Sequence, residues 1–287
     1  MSKRRLSIMV VEDNPVNQLY LKTLLVRAGH AVVMANNGAE AIKEFARSLE
    51  REDRRFDLIL MDLQMPGIDG FEAARRIREI ETRSAASARK IPISALSAYS
   101  LREETARDEL HYFDHYLTKP VSKQQIEEAL VKLTVESGDK DRNESSAAQQ
   151  TPGGATGAES GAPAAGQAGE ARVEEYVQTL LGEFGQDRQE LRKMLQMALT
   201  EIPQKLSELD YCFRSRDRQQ GCNAAHAVAN VVGVLCAPAE REIALNLEQL
   251  FQTGDWQAAR TAYLQLQDRV QLLLQSYRLL LKRELAG

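Results

Sequence analysis

The chain has 287 residues, 43% hydrophobic and 27% charged, with a net charge of −4; this length favours two domains over one and the composition excludes a disordered or fibrous class. The charge is nearly balanced in each half, without the basic excess of a nucleic-acid binder. The three cysteines, Cys212, Cys222 and Cys236, lack metal-ligand spacing and form no disulfide framework, which suits a reducing compartment.

No apolar run approaches the ~18 residues of a membrane span. The opening MSKRRLSIMVVED is basic and then apolar, but Glu12 and Asp13 interrupt it too soon for a signal peptide. The expectation is a soluble, cytoplasmic protein.

Leu6–Val11 is an apolar run that ends in Glu12 and Asp13, and Asn14-Pro15 opens a helical pattern with Val16, Leu19, Tyr20, Leu24 and Leu25 on one face. Gly29 closes that helix. His30–Ala35 reads as a strand, and Gly38–Leu49 as a helix with Ala41, Ile42, Phe45 and Ala46 inward. A third strand, 56–61, is followed by Asp62, a loop with Pro66, Gly67 and Gly70, and a helix over 70–82. Ile91–Leu96 is a strand with Pro92 near its start, where a missing donor does little harm. Ser100–Glu109 is a charged helix, His115–Thr118 a fifth strand ending in Lys119-Pro120, and Ser122–Val135 a last helix. Five β-α units predict an α/β fold: a five-stranded parallel sheet, doubly wound, over residues 1–135.

In a parallel sheet the carboxyl ends of all strands share one edge, where open α/β folds place their chemistry. Asp62 alone reads equally as a helix cap or as a functional acid. The other strand ends decide between them: Glu12 and Asp13 follow the first strand, Ser97 the fourth and Lys119 the fifth. Three converging carboxylates repel one another unless a cation lies between them, and an all-oxygen set open to water suits Mg²⁺. A hydroxyl and a lysine opposite the cation suit phosphoryl oxygens. The set reads as a site that places a phosphoryl group on a carboxylate.

The segments VVEDNPVNQ, ILMDLQMPGIDG, ALSA and YLTKP, in this order, resemble the receiver domain of two-component response regulators, most nearly those of hybrid sensor kinases. The resemblance covers residues 5–135. It implies a flavodoxin-like fold with Asp62 as phosphoacceptor, and Mg²⁺ held by Glu12, Asp13, Asp62 and the backbone carbonyl of Gln64. Ser97 would hydrogen-bond the phosphoryl group, Lys119 would pair with it, and Tyr116 would repack when Ser97 moves. It also implies a cis Lys119-Pro120 bond and a partner-selecting role for Asn14–Gln18. Tyr112-Phe113 departs from the small residues usual before Asp114, which makes the face near the fourth helix bulkier.

Residues 136–170 are mostly Gly, Ala, Ser and Gln, with two prolines, scattered charges and no large apolar side chain, and read as a disordered tether with a span of roughly 30–35 Å.

Residues 171–287 show only helical patterns: 172–184, 187–214 with a kink or break at Pro203, 217–236, 239–252 and 255–284. They predict an all-α bundle. On the helix holding NAAHAVANVVGVLCA, Val228, Val231, Val232 and Leu235 form one face. His226 lies nearly opposite, among Cys222, Asn223, Ala229, Asn230, Gly233 and Ala237. An exposed imidazole on a low surface suits a phosphoryl carrier; an ordinary surface histidine is the competing reading. The bundle is similar to a histidine phosphotransfer (HPt) domain, which makes His226 a phosphorylation site and adds it to Asp62, Ser97 and Lys119 as a residue of the phosphoryl chemistry. Ala229 and Asn230 stand where that family has lysine and glycine, and Cys236 replaces its second glycine.

Three functions follow from these readings. The first is a phosphorelay protein, a phosphocarrier and not an enzyme in the ordinary sense. It phosphorylates itself at Asp62 with Mg²⁺ from a histidine kinase or HPt donor, and exchanges phosphate at His226 with Asp62 or with another receiver domain. The second is an interaction module gated by Asp62, whose bundle is a degenerate, non-transferring HPt domain. A DNA-binding regulator is disfavoured by the charge balance. No glycine-rich nucleotide loop is present, so phosphate must come from an external donor.

Overall fold

The structure is a computed structural model that describes residues 5–50, 55–84, 90–98, 111–136, 165–184 and 187–283. The first half carries the alternation read from the sequence: β1 (Ser7–Val11), α1 (Pro15–Arg27), β2 (Ala31–Ala35), α2 (Gly38–Leu49), β3 (Leu58–Asp62), α3 (Gly70–Arg83), β4 (Ile93–Ser97), β5 (His115–Thr118) and α4 (Lys123–Glu136). All strands pair in parallel, in the order β2-β1-β3-β4-β5. The chain reverses its direction of travel between β1 and β3, so the crevice of the sheet opens beside Glu12, Asp13 and Asp62. The helix expected over 100–109 and the tether over 137–164 lie outside the described residues.

The central strands are apolar on both sides because the sheet is covered on both. Met9, Val11, Ile59 and Met61 pack with Phe45 and Ile77 on one face. Ile8, Val10, Leu58 and Leu60 pack with α1 on the other. Two inward readings change. Ala46 is exposed, because the buried stripe of α2 runs through Gly38, Ala41, Phe45 and Ser48. On α1, Leu21 is buried as well, because this helix is covered on a second side by the other half of the chain. β4 begins at Ile93 rather than Ile91, and the Pro92 carbonyl still accepts from the Ile59 amide at 2.9 Å.

Asp114 pins the lower edge of the sheet. Its Oδ2 accepts from the Ile93 amide at 2.9 Å and from Arg78 Nη2 at 2.7 Å, and its Oδ1 accepts from Lys90 Nζ at 2.7 Å. Burial pushes this carboxyl up, but Lys90, the Ile93 amide and Arg78 together outweigh that and hold it below its ordinary value. A carboxyl depressed in the folded state adds stability above its unfolded pKa and loses it as pH falls through the folded value. Asp114→Asn is therefore expected to cost about 1.5–3 kcal/mol at pH 7 in urea unfolding. That difference shrinks once the pH drops below about 4.

The second half is all helix: α5 (Ala165–Phe184), α6 (Arg188–Ser215), α7 (Arg218–Val234), α8 (Pro238–Thr253) and α9 (Trp256–Arg283). Asp187 and Asp217 cap α6 and α7 by accepting from the amides of Glu190 and Gln220. Two expectations are corrected. α5 starts at Ala165, inside the stretch read as tether: Ala165, Gln167, Ala168 and Glu170 favour helix, against Gly166 and Gly169. α6 continues through Pro203 without a break. The buried stripe of Leu195, Ala198, Ile202, Leu206 and Leu209 spans the proline, and its packing offsets a proline cost of about 3 kcal/mol.

The two halves share one apolar cluster, in which Tyr20, Leu21 and Leu24 of α1 join Leu180 and Phe184 of α5 and the core of α6–α9. The carboxyl edge of the sheet therefore faces the bundle.

Candidate functional site

The end of β1 supplies Glu12, which is fully buried. Its Oε1 accepts from the Asn14 amide at 3.3 Å and from Asn17 Nδ2 at 3.1 Å, and Lys119 Nζ donates to Oε2 at 2.7 Å. Asn14 caps α1 by accepting from the amides of Val16 and Asn17, which fixes the turn that presents Asp13. Asp13 keeps a water-exposed edge, yet its carboxyl is raised by burial between the two halves and then by the charge of Glu12.

The end of β3 supplies Asp62, buried at 1% exposure. Its Oδ1 accepts from the Gln64 amide at 3.2 Å, and its Oδ2 pairs with Lys119 Nζ at 2.7 Å. The loop that follows returns tightly. A Cβ on Gly70 would stand 2.2 Å from the Asp62 carbonyl oxygen, so only glycine lets α3 start there. Burial raises the Asp62 carboxyl well above its ordinary range and Glu12 adds to this, against the opposing pull of Lys119 and, more weakly, of His226. Burial works against the Lys119 ammonium too, but Asp62 and Glu12 outweigh it and the pKa is raised. Lys119 is thus charged and clamped between two carboxylates, and its peptide bond to Pro120 is cis.

Ser97 ends β4, and its carbonyl accepts from the Lys119 amide at 2.7 Å. Glu12, Asp13 and Asp62 each offer an oxygen within 4.8 Å of one another, and Gln64 lies exposed beside them. Three carboxylates against one ammonium leave an excess of negative charge, and hard oxygen donors of this kind fit Mg²⁺. Tyr116 stands apart from this cluster, 39% exposed, with its ring 5.9 Å from that of Phe113. Phe113 is buried, edge-on to Phe71 at 5.6 Å; the helix over 100–109 whose face it is expected to make bulkier lies outside the described residues.

His226 is not the exposed imidazole read from the helical wheel. It is 8% exposed, because the receiver half and α8 close over its face. Its Nδ1 lies 3.0 Å from Glu248 Oε2 of α8, a carboxylate that is itself 2% exposed. Its Nε2 is buried with no hydrogen-bond partner among the described residues. With Nδ1–H donating to Glu248, the lone pair is on Nε2. His226, Asn223 and Asn230 line a cleft of about 1260 Å³ with Asp13, Asn14, Gln64 and Met65. Ala229 and Asn230 are both buried. Cys236 adopts a positive φ of 56°, the left-handed region that favours glycine, which accounts for the glycine the resemblance expects at that position.

Glu248, Arg241, Glu201 and Glu183 were not singled out from the sequence. Each meets the site or the receiver half through helix packing, from 22 to 187 positions away in the chain, and nothing local marks such pairings.

Residues 8–131 match the family model described as response regulator receiver domain. Over 134 residues the chain is 37% identical to the sensor protein GacS of Pseudomonas syringae pv. syringae, a match covering 47% of this chain and 14% of that protein. It is 34% identical over 123 residues to hybrid signal transduction histidine kinase I of Dictyostelium discoideum, covering 43% and 7%. The chain therefore spans a small part of the curated relatives it matches. Among solved structures, it resembles the receiver domain of sensor histidine kinase PA1611 from Pseudomonas aeruginosa, described with magnesium in its active-site cleft. That match has 32% identity and a TM-score of 0.38, and covers 45% of this chain and 98% of that one. A complex of the Saccharomyces cerevisiae phosphotransfer protein Ypd1 with the receiver domain of Ssk1 matches at 29% identity and a TM-score of 0.40, covering 48% and 94%. The acid-rich edge of the parallel sheet and the match over its whole length agree: residues 8–131 are a response regulator receiver domain.

Proposed function

We propose that this chain is a two-component phosphorelay protein in which Asp62 accepts a phosphoryl group from a phosphohistidine and His226 carries one in His-Asp transfer. The observation that carries the reading is that His226, its Nε2 buried and unpartnered among the described residues, lines one cleft with Asp13 and Gln64, the neighbours of Asp62 at the acid edge of the receiver. Mg²⁺, held by Glu12, Asp13, Asp62 and the Gln64 carbonyl, supplies positive charge to the phosphoryl oxygens when bound. A carboxylate oxygen of Asp62 attacks phosphorus and the histidine nitrogen of the donor leaves. Lys119 exchanges its pairing with Asp62 for the new phosphoryl group, and the Ser97 hydroxyl donates to another of its oxygens. Glu248 holds the Nδ1 proton of His226, so that Nε2 acts as the nucleophile in the onward step. Domain roles follow a similar division: residues 1–135 as receiver, 136–164 as tether and, from the start of α5 at Ala165, the remainder as an HPt-like bundle, in a cytoplasmic setting.

A second reading has a specific support. Buried Asn230, with its Oδ1 unpartnered among the described residues, and Ala229 stand where an HPt domain has glycine and lysine. This favours a bundle that docks on the receiver without transferring phosphate. The chemistry of the label separates the two. Wild type and His226→Gln are incubated with Mg²⁺ and labelled phosphoramidate. The relay reading expects alkali-labile label on both chains and alkali-stable, acid-labile label on wild type alone. Alkali-labile label with no alkali-stable label on wild type leaves the docking module.

A further inference from the structure

We infer that the receiver face on which a phosphohistidine must dock is occupied in this chain by the chain's own bundle, so that Asp62 and His226 of one molecule are each other's partners. The inference rests on the phosphorelay reading above and names the partner of its site. The seam is made on purpose-built contacts along α1 and the edge of the sheet. Tyr20 donates its hydroxyl to Glu183 Oε2 at 2.6 Å and its ring lies 6.1 Å from that of Phe184. Arg27 Nη1 donates to the Glu183 carbonyl at 3.3 Å, and Asn14 Nδ2 donates to Glu201 Oε1. At the far end Arg241 Nη2 donates to the carbonyl of Ala98 at 2.7 Å, the residue after Ser97.

Two features tie the seam to transfer. A Cβ on Gly233 would crowd Arg241, at 3.0 Å from its Cδ, and would lie in ordinary contact, 3.6 Å, with Pro120 Cδ, so α7 packs here against both the turn after Lys119 and the side chain that reaches Ala98. About two turns back along the same helix, His226 lines the cleft with Nε2 unpartnered among the described residues. In the step, the Nε2 lone pair forms a bond to phosphorus and the P–O bond of the Asp62 acyl phosphate breaks. The electron pair returns to the carboxylate, and Nδ1 keeps its proton on Glu248. No other reactant is needed. Because α1 is already covered, a second protein must displace the bundle before it can use the same face.

The test uses full-length chains. Wild type is labelled at Asp62 with phosphoramidate, and the appearance of phosphohistidine is followed over a 100-fold dilution. In parallel, His226→Gln chain phosphorylated at Asp62 is mixed with Asp62→Asn chain at roughly 10 micromolar, so that transfer runs in the same direction. An intramolecular partner has an effective concentration near the millimolar range. The wild-type rate constant is therefore expected to be unchanged by dilution, and the mixed pair to transfer roughly 100-fold more slowly. Tyr20→Phe with Arg241→Ala, placed in every chain, is expected to slow transfer in the otherwise wild-type chain and to speed it in the mixed pair; Tyr20→Phe with Glu183→Gln serves if the first combination does not fold. A wild-type rate that falls in proportion to dilution, or a mixed pair that keeps pace with wild type, overturns the inference while leaving the relay intact. Label that stays on Asp62 in wild type also overturns it. No label at Asp62 overturns the phosphorelay reading itself.

Discussion

Asp62→Asn is expected to lose phosphoryl uptake at residue 62 by at least about 1,000-fold in initial rate of label incorporation, because an amide oxygen is a poor nucleophile and no acyl phosphate forms on it. The variant keeps the size and shape of the side chain, so the fold should survive. The direction of its stability effect can be worked out. The Asp62 carboxyl is raised in the folded state, by burial first and then by Glu12. A carboxyl raised on folding makes the folded state less stable above that value than a neutral group would. Removing the charge also removes an ion pair, but Lys119 retains Glu12 at 2.7 Å. In chelator, the unfolding midpoint of Asp62→Asn is therefore expected to be no lower than that of wild type. Loss of labelling together with a large loss of stability would mean that Asp62 is chiefly a structural partner of Lys119.

The largest effect on stability is expected from Lys119→Met. Lys119 is 6% exposed and is the cation between two carboxylates that are themselves buried, Glu12 and Asp62. Its removal leaves their charge uncompensated, at a cost of about 3–5 kcal/mol. Methionine fills most of the volume, which separates the charge effect from a cavity effect. Denaturant unfolding in chelator should show the full loss, and added Mg²⁺ should recover part of it by neutralising the same carboxylates. A loss that Mg²⁺ does not touch would place the cation site elsewhere. Under the proposed function the same substitution should also slow phosphorylation of Asp62, by removing the ammonium placed to meet the incoming phosphoryl oxygens.

The receiver half was legible because its signals are local. Each buried strand is a short apolar run, and the residue after it falls at the shared edge of the sheet whatever the details of packing. Glu12, Asp13, Asp62, Ser97 and Lys119 could therefore be grouped from their positions in the chain alone, and β1, β3, β4 and β5 carry them to that edge. Ala46 shows the limit of the method. It is apolar and adjacent to Phe45, but the turn of α2 carries it outward. Pro203 shows another: its local preference is to end a helix, and a stripe of tertiary contacts from Leu195 to Leu209 decides otherwise.

The bundle was legible as helices and illegible as a site. The wheel placed His226 away from the valine face, but could not show that another surface would cover it. Glu248 sits on the next helix, and its contact with His226 depends on the register in which α7 and α8 pack. The seam with the receiver depends on still longer separations, as between Asn14 and Glu201. Cys236 is the exception. Its positive φ explains, in the backbone, why glycine is expected at a position where the sequence has cysteine.

The central claim is that Asp62 is a metal-assisted phosphoryl acceptor, and reductive trapping tests it most directly. The wild-type chain is incubated with phosphoramidate, with Mg²⁺ or with chelator, then reduced with borohydride, which converts an aspartyl phosphate to homoserine, and mapped by peptide mass. The account predicts homoserine at position 62 in the Mg²⁺ sample and a large loss of it in chelator. Homoserine at another aspartate, or equal conversion at position 62 with and without Mg²⁺, would contradict it.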